Sequence, residues 1–116
     1  MATYTVTKVT TRPNTSTQWP HEVSPGGYVD LKSSGKVTIS TSTDSDNLVQ
    51  TSSFVWASKT DYTQNLRGAG TRDSALAASS DAYCTHMAEN NITARTTEED
   101  GTVRVFNSSS KTFEVE

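Results

Sequence analysis

Alternating apolar and polar positions dominate the chain, and helical spacing is confined to one stretch. Residues 3–11, TYTVTKVTT, are rich in β-branched side chains that are stiff at χ1 and suit a pleated surface. They predict a strand with Tyr4 and Val6 on one face and Val9 on the other. Pro13 and the polar run Asn14–Thr17 end it. Residues 12–27 hold all three prolines and the pair Gly26–Gly27, so they read as a loop, with a short turn of helix near Tyr28–Lys32. Trp19 lies inside that loop. It either folds back over an edge of the core or anchors a partner.

Gly35 breaks the chain, and residues 36–43, KVTISTST, then alternate with Val37, Ile39 and Thr41 on one side. Residues 48–56, LVQTSSFVW, form a second extended run, and Asp44–Asn47 between the two is a turn cluster. Two strands joined by four turn residues predict an antiparallel hairpin. Phe54 and Trp56 fall on one face of the second strand, Val49 and Val55 on the other. Apolar residues on both faces suggest a strand covered twice, once by a neighbouring subunit.

At Ser58 the period changes. Ser58–Asp61 has the spacing of a capping box, with Ala57 and Tyr62 in the staple positions, and opens a helix to about Leu66. Gly68-Ala69-Gly70 interrupts it. A second helix is expected from Asp73 to about Asn90, where Leu76, Tyr83 and Met87 recur at helical spacing beside Ala75, Ala78 and Ala82. Asn90-Asn91 suits its end, because Asn tolerates the left-handed conformation. Residues 91–98 return to strand, Glu98–Gly101 is a turn, and residues 102–106 and 111–115 flank Asn107–Ser110 as a terminal hairpin.

Strand, loop, hairpin, helix, strand and a further hairpin make an α+β chain. The order matches a β-α-β-β-α-β, ferredoxin-like antiparallel sheet with a degenerate first helix, one main helical layer and an extra C-terminal β-hairpin. On this reading residues 1–100 form the α+β domain, and residues 101–116 form an extension that serves as an interaction element. One helical layer leaves the other sheet face to water or to another copy.

Composition sharpens this picture. Among 116 residues, Thr contributes 20 and Ser 16, and the net charge is −3. The core is therefore thin and the surface rich in hydroxyls, which permit large contacts without burying charge and also suit an ordinary solvated sheet. No apolar run of about 18 residues suggests a membrane span. The opening MATYTVTKVTTRPNTST has no basic start followed by an apolar block, so no secretory signal is expected. Lys and Arg are scattered, with no basic stripe interleaved with aromatics, so nucleic acid is not an expected partner.

Candidate chemistry is sparse. Cys84, the single cysteine, cannot form an internal disulfide, and it stands two residues from His86 on different faces of the expected helix. With His21 the only other histidine, a zinc site lacks ligands. Asp44, Asp46 and Asn47 begin like a calcium loop, but Val55 stands where the bidentate Glu is needed. No phosphate loop, dinucleotide fingerprint or nucleophile elbow occurs. The remaining carboxylates fall in turns, where solvation would keep them ordinary. Neither a cofactor nor a catalytic set is expected.

The segments TYTVTKVTTRPNTSTQWP, GKVTIS and FVWASKTDYTQNL resemble small proteins encoded by tailed bacteriophages, particularly marine ones. The step Trp56, Ser58, Tyr62 also resembles ferredoxin-like domains of the antibiotic-biosynthesis-monooxygenase type. The first resemblance implies a virion structural protein, made in the host cytoplasm, as a head decoration or cement protein or a tail-associated component. Its expected partners are other virion proteins and copies of itself, met through Trp19, Tyr28, Val103, Val105, Phe106 and Phe113. The second implies a dimeric barrel enzyme with an apolar cavity lined by Phe54, Trp56, Tyr83 and Met87. A third possibility is a phage binding module absent from the particle.

Overall fold

The computed structural model describes residues 2–23, 35–64 and 84–116. Their elements run β1 (Tyr4–Thr11), α1 (Pro20–Val23), β2 (Val37–Thr43), β3 (Val49–Trp56), α2 (Lys59–Gln64), a helical segment at 84–89, β4 (Thr93–Glu98), β5 (Val103–Asn107) and β6 (Thr112–Val115). The expected helical turn at Tyr28–Lys32, the Gly68–Gly70 break and residues 73–83 of the long helix lie outside the described residues.

The six strands form one antiparallel sheet in the order β2-β3-β1-β4-β5-β6, so the chain is a small α+β domain with short helices. Local chemistry explains the joints. Asp44 Oδ1 accepts the N–H groups of Leu48 and Val49, closing the β2–β3 turn around Asn47 at φ 60°. Ser58 Oγ accepts the Asp61 N–H at 3.1 Å, which caps α2 as its spacing predicts. Segment 84–89 ends on Asn91 at φ 56°, and Ile92 N–H donates to the Met87 carbonyl at 3.1 Å. That bond and the packing of Ile92 on Met87 are the marks of a Schellman cap.

One element lies where the sequence predicts only loop. α1 starts within residues 12–27 because Trp19 N–H donates to Glu22 Oε1 and Pro20 presets the first helical φ. Trp is not an N-cap residue type, so the usual signal for a helix start is missing there.

Strand parity divides the sheet cleanly. On the covered face, Tyr4, Val6, Val37, Trp56 and Tyr62 form one apolar cluster, with Ile39 and Phe54 against it. Met87, Ile92 and Ala94 form a second, with Phe106 and Phe113 against it. Between them runs a cross-strand row of Thr41, Ser52, Lys8, Thr96 and Arg104. Its members hydrogen-bond locally, Thr41 Oγ1 with Ser52 Oγ at 3.1 Å and Thr96 Oγ1 to the Arg104 carbonyl at 3.4 Å. The core is thus two apolar patches joined by a hydroxyl-rich seam.

Met87 is the most deeply buried side chain described, with no exposure. Met87→Ala is expected to lower stability by about 2–5 kcal/mol, through lost transfer energy and the cavity left behind. Urea unfolding would register this as a lower midpoint at an unchanged slope.

Candidate functional site

The densest polar chemistry among the described residues lies at the end of β4, on the covered face. Glu98 follows Ala94 and Thr96 in strand parity and is 5% exposed. Tyr4 OH donates to its Oε1 at 3.1 Å, and Tyr62 OH donates to its Oε2 at 3.1 Å. Arg104 Nε donates to the same Oε2 at 2.6 Å as an ion pair. One carboxylate therefore ties β1, α2, β4 and β5 together.

The rings above it are packed as a group. Tyr4 and Tyr62 lie 5.5 Å apart between centroids, and Trp56 lies 5.8 Å from Tyr62. Lys59 Nζ sits 5.6 Å from the Tyr4 ring and pairs with Asp100 at 3.5 Å. Trp56 Nε1 is buried with no hydrogen-bond partner among the described residues.

Burial, followed by the hydrogen bond and charge of Glu98, pushes the Tyr4 hydroxyl up to about 12. Burial and then the Glu98 charge raise Tyr62 too. The Arg104 guanidinium is raised by its hydrogen bond to Glu98. Chemically this cluster is a closed set. Both carboxylate oxygens accept bonds, and the neighbouring cation compensates their charge. The arrangement favours the neutral form of both phenols.

A second cluster sits at the opposite end of β1. Arg12 is buried, donating from Nε to the Asn47 carbonyl at 2.9 Å and from Nη1 to the Thr17 carbonyl at 2.7 Å. Its guanidinium carbon lies 4.2 Å from the Trp19 ring centroid. His86 Nε2 donates to the Gln18 carbonyl at 2.7 Å, since Nδ1 faces the Asn90 amide at 3.1 Å and serves as its acceptor. The loop after β1 is thereby pinned both to the β2–β3 turn and to segment 84–89.

The third feature is the face opposite the helices. It carries Thr5, Thr7, Val9 and Thr11 of β1, Val49, Thr51, Ser53 and Val55 of β3, Thr38, Ser40 and Ser42 of β2, and Thr93, Arg95 and Thr97 of β4. Val103 and Val105 of β5 continue it. Val9, Val55 and Val105 are 38%, 36% and 36% exposed, the large apolar side chains open to solvent on this face. Arg95 stands between Val9 and Val105 in the register and pairs with both carboxylate oxygens of Glu116, at 2.5 and 2.8 Å.

The interface residues expected from sequence therefore separate. Val103 and Val105 lie on the open face. Phe106 and Phe113 form a cross-strand pair, centroids 5.4 Å apart, on the covered face against Met87. Trp19 is folded inward at 5% exposure, and Tyr28 lies outside the described residues. Of the cavity residues, Phe54 and Trp56 belong to one apolar cluster and Met87 to the other, while Tyr83 lies outside the described residues. Cys84 is buried, and Asp44 is engaged by turn amides that hold its carboxyl below the usual range.

Glu98 corrects the expectation that the carboxylates fall in solvated turns. It is the last residue of β4, and its alternation with Ile92, Ala94 and Thr96 was the available signal. Among the described residues no group of three or more His, Cys, Asp or Glu is placed to hold a metal ion, and no helix is long and apolar enough to cross a membrane. Comparison with protein-family models, curated proteins and solved structures finds no match for the chain.

The buried phenols set a pH dependence. The unfolded chain releases these tyrosine protons near pH 10, the folded chain only at higher pH. The stabilising contribution is therefore complete below about pH 10 and is lost as pH rises toward the folded values. Phenolate absorbance should show Tyr4 and Tyr62 ionising late, coincident with alkaline unfolding. Tyr62→Phe should remove one late step and cost about 1.5–3 kcal/mol, the loss of a hydrogen bond to a charged acceptor.

Proposed function

We propose that this chain is a non-catalytic structural subunit that works through protein–protein contacts made by its open sheet face. The observation that carries this reading is the chemistry of that face. Of the nineteen strand positions on it, sixteen are Thr, Ser or Val, and the total approaches the roughly twenty or more residues that one partner contributes to a standard interface. Their hydroxyls are donor and acceptor at once, so they can be satisfied across a contact without desolvating charge. The Arg95–Glu116 pair neutralises the central cation of the face.

The finer architecture belongs to the same proposal. The order β2-β3-β1-β4 and its antiparallel pairings support a ferredoxin-like reading, in which β5 and β6 are an added hairpin beyond β4. The appended strands widen the open face with Val103 and Val105, which supports their role as an interaction element. A multi-copy place on a phage head or tail, among other virion proteins and copies of the same chain, fits a face of this kind.

Mass spectrometry of purified particles tests the reading. The chain is expected in multiple copies per particle. The double substitution Val55→Lys, Val105→Lys is expected to remove it from particles, while the melting free energy of the isolated chain changes by no more than about 0.5 kcal/mol per site. Absence of the wild-type chain from particles, or incorporation unaffected by the two lysines, overturns the proposal.

A further inference from the structure

The two edges of the sheet differ in length and charge. Among the described residues β2 is the end strand of the sheet, and its sequence, VTISTST, has no charge and no proline over seven residues. The other end strand, β6, has four residues, includes Glu114, and is flanked by Lys111 and Glu116. Charges and shortness are how natural sheets blunt an edge, and a long neutral edge is a template for another strand.

The backbone pattern of β2 is readable from its ends. Ala57 N–H donates to the Lys36 carbonyl at 2.7 Å, and Asp44 N–H donates to the Val49 carbonyl at 3.0 Å. In an antiparallel ladder this parity turns the N–H and C=O groups of residues 36, 38, 40, 42 and 44 toward β3. Those of Val37, Ile39, Thr41 and Thr43 point the other way, across the outer edge.

We infer that β2 pairs antiparallel with β2 of a second copy, about a two-fold axis at Ser40. This register sets Val37 opposite Thr43 and Ile39 opposite Thr41, four hydrogen-bonded pairs in all with about eight backbone bonds. Residues of equal parity meet, so both copies keep their covered faces on the same side and one sheet continues through the axis. Thr38 meets Ser42 and Ser40 meets Ser40, hydroxyl pairs of the kind that stabilise neighbouring strands. The same register sets Lys36 of each copy opposite Asp44 of the other, in close non-hydrogen-bonded positions. Opposite charges thus bracket a neutral strand at both ends, and that complementarity selects a second copy as the occupant. Closure by a two-fold axis leaves the blunted β6 edges outermost and stops the sheet from growing.

Sedimentation equilibrium of the full chain, from micromolar to millimolar, provides the test. A species of twice the 12.6 kDa chain mass is expected, and its dissociation should increase with salt. Thr41→Pro deletes an outward N–H while sparing the β2–β3 ladder, and is expected to leave monomer throughout. Lys36→Glu is expected to weaken the dimer by about tenfold and to reverse its salt dependence. Amide exchange of the unaltered chain supplies a readout that needs no variant. Val37, Ile39, Thr41 and Thr43 should gain protection with concentration, and the residues between them should not. A wild-type monomer at every concentration overturns the inference, as does a dimer that survives Thr41→Pro or breaks with Val105→Lys. Particle incorporation reads the open face separately, so the two proposals fail independently.

Discussion

A carboxylate taken out of water has to be repaid by everything around it, and Glu98 sets that condition for this fold. Removing such an ion from solvent costs several kcal/mol even after relaxation. Here the compensation comes from two phenols and a guanidinium on three other elements. Each of those groups is useful only when the strands and α2 are already in register. The network therefore contributes to the uniqueness of the arrangement, because a slip of one residue in β4 would turn Glu98 to the open face and strand Arg104 without its acid.

The thin apolar supply shapes the rest. Two small clusters separated by Thr41, Ser52, Lys8, Thr96 and Arg104 replace one continuous core. Local hydrogen bonds along the seam keep its hydroxyls satisfied, so the sheet can be bridged by polar groups at little cost. Loops are fixed by the same means. Arg12 and His86 hold backbone carbonyls, and Asp44 and Asn107 hold turn amides.

The surfaces then differ by design of the same residues. Strand parity that fills one face with Tyr4, Trp56 and Phe106 leaves the other mostly to Thr, Ser and Val. A face of that kind is well solvated alone and compatible with contact, and its arginine, Arg95, is paired within the chain. The two edges differ as well. β6 is short and charged, whereas β2 is long and neutral.

The strands, their partners in the two hairpins and the cap at Ser58 were legible along the chain, because period-two alternation and turn chemistry are local properties. Val9 and Val55 could be assigned to a face for the same reason. Legibility ended where distance in sequence was large. Tyr4 and Glu98 are 94 residues apart and meet only because β1 lies between β3 and β4. Trp19 and Glu22 start a helix without a standard cap, and Phe106 and Phe113 turn inward because Met87 and Ala94 await them there. Sequence by itself determined which residues extend, turn and cap, since those depend on neighbours a few positions away. Only the tertiary structure decided which carboxylate was buried, which face stayed open and which edge remained unblunted, since those depend on what the folded sheet places alongside.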